Sequence, residues 1–187
     1  MNLRESLASA GLALVNQCVD PSGLIPPVVT SQAPCVPPED GRIDFEVDKQ
    51  DSQALKKANA GWYCLSLEAC LFTEVDRRFL VGLLSSSEDA PSEWFCVELQ
   101  SVWDIMGNGA ACLLGSDFCR PEFRMLSLDG QVLSCGSTWE SVISCFTIPT
   151  PHRSSVLRRF AAAVAIDEYH HPTERIAARH WLDENPW

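Results

Sequence analysis

Residues 42–48 alternate between apolar and acidic side chains, with Ile43, Phe45 and Val47 on one side and Asp44, Glu46 and Asp48 on the other. This two-residue period is that of a half-buried strand. Further apolar runs at 62–67, 78–84, 94–102, 111–114, 123–128 and 131–135 are set apart by polar or glycine-containing breaks. They predict a mostly antiparallel sheet through the middle of the chain. Asp129-Gly130 lies between the last two runs and suits the positive φ values of a type I′ turn, which predicts a hairpin.

Helices are predicted toward both ends. Asn2 followed by Glu5 has the spacing of a capping box, with Leu3 and Leu7 on one side of the helix and Gly11 as its stop. A short helix over 51–60 is expected to end at Gly61. Ser137 with Glu140 predicts a second capping box, opening a helix over 138–146 ahead of Pro149 and Pro151. Ser154 or Ser155 can cap a helix whose apolar stripe is Val156, Leu157, Phe160, Ala161 and Val164. Pro172 suits the first turn of a last helix running through Ile176 and Trp181. Six prolines between 20 and 40 predict an extended connector, packed on the surface or mobile. Strands in the middle and helices at the ends give an α+β class. The 187 residues suit a single domain over 1–187, with the connector at 20–40 and a helical part at 152–187.

The net charge of −11 is unevenly spread: five cations face eight carboxylates in 1–60, four face twelve in 61–151, and five face five in 152–187. A negative central field repels phosphate backbones and anionic membrane surfaces, so neither nucleic acid nor a membrane is an expected partner. Basic proteins are the partners it favours, and the same excess also serves solubility. The acidic side of 42–48 (Asp44, Glu46, Asp48), together with Glu88, Asp89 and Glu93, is the candidate partner-binding set. The bland alternative is a solvated strand face whose charge guards a sheet edge.

Nine cysteines, an odd number, several of them within apolar runs such as Trp94-Phe95-Cys96-Val97, point to a reduced compartment and a cytoplasmic location. The apolar stretch at 3–15 is interrupted by Glu5, Ser6, Ser9 and Gly11, which disfavours an export signal, and no run approaches the ~20 residues of a membrane span.

Candidate chemistry is sparse. Cys64 with Cys70 and Cys112 with Cys119 lack the two-residue spacing of a zinc knuckle, so no metal is expected. The cluster Asp167, Glu168, His170, His171 and Glu174 could serve as a base or ligand set, but its groups also complement helix ends. No local signature selects a cysteine nucleophile among nine thiols and four histidines, and Gly107-Asn108-Gly109 lacks the lysine of a phosphate loop. Neither a catalytic set nor a cofactor is therefore expected. Six tryptophans are present, most within apolar runs, with Trp187 the one placed for exposure.

From 123 to 146 the predicted order is strand, Asp-Gly turn, strand, then a helix beginning Ser137-Thr138-Trp139-Glu140-Ser141. This segment resembles the later part of the SUKH-superfamily immunity proteins, where a strand pair leads to a helix with a Ser- or Phe-rich pattern. The resemblance implies an intracellular protein that neutralises a toxin. The charge is compatible with it, since an acidic inhibitor can cover a basic active site. A secretion chaperone or adaptor for an effector, and an enzyme of unrecognised type, are the alternatives.

Overall fold

Asn2 and Glu5 do form the reciprocal capping box, and α1 (Leu3–Ser9) ends at Gly11, whose φ of +77° closes the helix. In this computed structural model, which describes residues 2–16, 19–83 and 93–186, α1 leads into β1 (Leu12–Asn16). The proline-rich segment follows and contains α2 (Pro27–Thr30) among several 3₁₀ turns. Next come β2 (Ile43–Asp48), α3 (Ala54–Glu68), β3 (Arg78–Leu83) and β4 (Glu93–Leu99). A π-helical turn at Ile105–Gly109 runs into α4 (Ala110–Cys112), which precedes β5 (Gly115–Asp117) and β6 (Arg120–Pro121). The chain ends with β7 (Arg124–Leu126), β8 (Val132–Thr138), β9 (Val142–Pro149), α5 (Ser155–Ile166) and α6 (Pro172–Glu184).

Seven strands form one antiparallel sheet in the order β1-β4-β3-β7-β8-β9-β2, and β5 pairs with β6 alone. The fold is α+β, with helices near both ends of the chain. Both faces of the large sheet are covered. Phe79, Val81, Val97 and Met125 project into a core shared with α1, α3 and the 105–114 segment, where Trp62 contacts Phe72, Phe79 and Trp103. Leu80, Leu126, Leu133 and Ile148 project to the other face, under α5, α6 and the proline-rich segment. Burying each such side chain contributes about 1.5–3 kcal/mol.

This two-sided burial explains where the structure departs from the sequence reading. Residues 62–67 are helical, not a strand, because α3 runs unbroken through Gly61 and buries Ala54, Ala58, Trp62 and Ser66 at every fourth position. Residues 138–146 form no helix. The six positions from Ile143 to Ile148 are all buried inside the sheet as β9, between β8 and β2, and tertiary pairing overrides the Ser137–Glu140 cap. The run at 111–114 is the end of a helical turn. The hairpin at Asp129-Gly130 is present, but only Gly130 has positive φ, so the turn is not type I′. Asp129 keeps a negative φ and accepts from the Ser127 hydroxyl (2.6 Å) and the Gln131 amide (3.0 Å).

The proline-rich segment is packed and built of short helical turns, not extended. Ile25, Val29, Ala33 and Val36 are fully buried against the sheet. Asp40 at its end accepts from the backbone and hydroxyl of Ser155 (2.8 and 2.9 Å) and the Ser154 hydroxyl (3.1 Å), tying it to the start of α5. Ser154 caps α5 and Pro172 opens α6, as their positions in the sequence imply.

Candidate functional site

The alternating 42–48 segment becomes β2, the last strand of the sheet, paired with β9 along its whole length and open on its other side among the described residues. An edge strand leaves every second N–H and C=O unpaired. Phe45 and Val47 turn toward α3, and Gly61 is what lets the helix come close. A Cβ built on Gly61 would overlap the Phe45 ring, approaching its Cγ to 2.6 Å.

Between the β2 edge and α3 lies an open groove of about 720 Å³. Its floor is Phe45, Ala60, Gly61, Cys64 and Leu65, and its rim carries Glu46, Asp48, Asp51 and Glu68. Lys57 pairs with Asp51, and its hydrogen bond holds that carboxyl below the usual range. Glu46, Asp48 and Glu68 have no ion-pair partner among the described residues; Glu68 flanks the groove from α3, whereas the Glu46 and Asp48 side chains leave β2 on the face opposite Phe45 and Val47, so the three uncompensated charges stand on either side of the open strand edge. Trp139, 59 % exposed, sits in the β8–β9 turn at the end of this edge, where Lys49 donates to its carbonyl (2.5 Å). An exposed indole at the end of an open strand edge is the type of side chain that anchors interfaces.

The four described acidic candidates do not form one patch. Glu46 and Asp48 rim the groove, whereas Asp44 is held by Arg42 at 2.5 Å, which neutralises it. Glu93 begins β4, five strand spacings from β2, about 24 Å across the sheet. Glu88 and Asp89, like Cys18 and Trp187, lie outside the described residues. Sequence reasoning missed Cys64 and Leu65 because it read 62–67 as a strand, left Glu68 just beyond that run, and missed Trp139 because it read 138–146 as a helix.

The other candidate chemistry resolves into structural roles. Burial pushes the thiols of Cys135 and Cys145 up to about 12, so both stay protonated at neutral pH and are poor nucleophiles. Gly107 and Asn108 donate their amides to the Asp104 carboxylate (2.9 Å each), which caps the π turn and fills the place an anion would take. In the 167–174 cluster Asp167 accepts from the Tyr169 amide (3.0 Å), and His171 with Glu174 caps α6. Among the described residues no three His, Cys, Asp or Glu side chains converge as metal ligands, and no helix is long and apolar enough to cross a membrane. No protein-family model matches the chain, no curated protein matches it, and no solved structure matches it.

Proposed function

We propose that this protein is a non-enzymatic, acidic protein-binding protein that neutralises a basic toxin or effector by covering its active site, in the manner of an immunity protein. The observation that carries this reading is the open β2 edge, where an unpaired strand, an apolar groove against α3 and three uncompensated carboxylates, Glu68 on the groove side and Glu46 and Asp48 on the other face, lie within one strand length. A basic segment of the partner would add to the β2 edge as a further strand, one set of alternate side chains entering the groove beside Glu68 and the other set carrying cations to Glu46 and Asp48 on the opposite face. The net charge of −11 would speed encounter with such a partner.

The resemblance to SUKH-superfamily proteins adds less support than the sequence promised. Its strand pair is present as β7 and β8, but the helix it calls for is β9. The chaperone or adaptor reading draws on the same groove, since an open edge can also hold an effector's unfolded segment.

The test starts from partners captured in the native host at about 0.01 M and about 1 M salt, where the Debye length falls from about 30 Å to about 3 Å. The captured partner is expected to be basic, to be lost at high salt, and to be toxic when produced without this protein. Glu46→Lys with Glu68→Lys should lower its association rate by at least about tenfold and abolish protection, with thermal unfolding unchanged. An acidic partner, or full protection by the doubly reversed variant, refutes the reading. Retention of an untoxic secreted client points to the chaperone reading.

A further inference from the structure

The register of the sheet sets Trp94 (β4), Gly82 (β3), Arg124 (β7), Cys135 (β8), Phe146 (β9) and Asp44 (β2) in one row across the strands. The row lies on the face that carries α5 and α6, and it holds two guanidinium groups in contrasting states. At one end Arg42 stacks over the Phe146 ring, 4.0 Å from its centroid, donates to Asp44, and donates to the carbonyls of Pro34 (2.9 Å) and Val36 (3.3 Å). Arg124, two strands further in, is half-buried and has neither a hydrogen bond nor an ion pair to any described residue. Burial pulls its guanidinium below the usual value, with the neighbouring Cys135 opposing.

A second orphaned donor sits beside it. Trp94 leans over Gly82, where a Cβ would stand 2.7 Å from its ring, and its buried indole N–H finds no acceptor among the described residues. Trp94 and Arg124 together line two adjoining hollows, one of about 110 Å³ and a larger cleft of about 680 Å³. The cleft lies between the proline-rich segment and the first turns of α6, with Pro21, Pro26, Val28 and Ala177 giving it apolar walls. Asp20, Glu93 and Glu174 stand on its border. Asp20 is already committed to the Ser22 amide (2.9 Å), and Glu174 to His170 (3.4 Å) and the His171 amide (3.3 Å).

The half-buried Arg124 guanidinium borders the cleft, and the Trp94 indole N–H, buried in the wall beside it, has no acceptor among the described residues; a buried donor is costly to leave unmade, so the pair marks a place for an acceptor-rich group. The bordering carboxylates select among anions, since they repel a multiply charged phosphate more than a single carboxylate. We propose that this cleft binds a small organic monocarboxylate. Its carboxylate oxygens accept from the Arg124 guanidinium and the Trp94 indole N–H, and its apolar body lies along the prolines. The site is separate from the β2 groove, which lies at the far edge of the sheet.

The test is a titration of the full-length ¹⁵N-labelled protein with benzoate, benzamide and inorganic phosphate, following the Arg124 Nε–H and Trp94 Nε1–H signals. Benzoate is expected to move both signals saturably and benzamide to move neither. Arg124→Met should weaken the benzoate response of the Trp94 signal by at least about tenfold, the loss of a charge-assisted hydrogen bond. The comparison of benzoate with benzamide on the unaltered protein needs no variant to fold. The charge-reversed Glu46→Lys, Glu68→Lys protein should respond like the parent, which keeps this outcome independent of partner binding. Silence of both signals toward benzoate, an equal response to benzamide, or a stronger response to phosphate overturns the proposal.

Discussion

Replacing Gly61 with alanine puts helix propensity and packing in direct opposition. Gly61 lies in the interior of α3, where alanine is ordinarily better than glycine by about 1 kcal/mol. The added methyl would overlap the Phe45 ring, whose Cγ would be 2.6 Å away, well inside the 3.5–4.0 Å of an ordinary carbon contact. The ring must therefore retreat by about 1 Å or more, and overpacking of that kind costs about 1–3 kcal/mol. Phe45 is half-buried on an edge strand and can swing partly into the groove, which places the cost at about 2 kcal/mol. The net expectation is destabilisation by about 1 kcal/mol, with the displaced ring intruding on the groove. In a Phe45→Ala background the clash is gone, and Gly61→Ala should stabilise by about 1 kcal/mol. The two backgrounds thus differ by a coupling energy of about 2 kcal/mol, measurable by urea unfolding of the four proteins in a double-mutant cycle. If Gly61→Ala stabilises both backgrounds equally, Phe45 does not rest on α3, and the floor of the groove is wrongly assigned.

Two further outcomes test the electrostatics and the thiols. Hydrogen bonds from Ser22 and Ser127 hold the carboxyls of Asp20 and Asp129 below their usual value, and at Asp40 burial pushes upward but the bonds from Ser154, Ser155 and Val156 outweigh it. With folded values below the unfolded value of about 3.9, their stabilisation is complete above it and drains away as pH falls through the folded values. The urea midpoint should therefore drop on acidification below about pH 4, more steeply for the parent than for Asp40→Asn; equal slopes contradict the assigned role of Asp40. At about pH 8, near the ordinary thiol value, iodoacetamide should alkylate the exposed Cys35, Cys64, Cys70 and Cys112 of the native protein and spare Cys96, Cys135 and Cys145 until denaturant is added. Labelling of Cys135 as fast as of Cys64, read by peptide mass spectrometry, would overturn the reading of Cys135 as an inert core thiol.

The parts of the fold legible in the sequence are those decided by neighbours in the chain. The Asn2–Glu5 box, the Ser154 cap and Pro172 each act within one turn, and the alternation at 42–48 survives because an edge strand keeps one face wet. Legibility fails where the chain is buried on both sides. Over Ile143–Ile148 no polar face remains to report a two-residue period, and an apolar run such as 62–67 reads equally as strand or helix. The sites divide in the same way. Glu46 and Asp48 could be picked out because their strand carries its own pattern, but Glu68 and the groove floor depend on α3 lying against that strand. Trp94, Gly82, Arg124 and Cys135 come together only through the register of four strands, and nothing local in the sequence announces them.

The acidity that first suggested a basic partner serves two purposes that act over different distances. Most aspartates are occupied close at hand: Asp20, Asp40, Asp48, Asp51, Asp104, Asp117 and Asp129 each accept a backbone amide in a turn or cap. A carboxylate so engaged remains charged, so at low salt it still contributes to the long-range field that steers encounter. Its lone pairs are largely committed, however, and it has less to offer a cation at contact. Glu46 and Glu68, which hold no hydrogen bond or ion pair among the described residues, are free to do both. Reversing them should therefore accelerate dissociation out of proportion to their share of the net charge, whereas reversing two capped aspartates should slow association and destabilise the fold while leaving dissociation nearly unchanged.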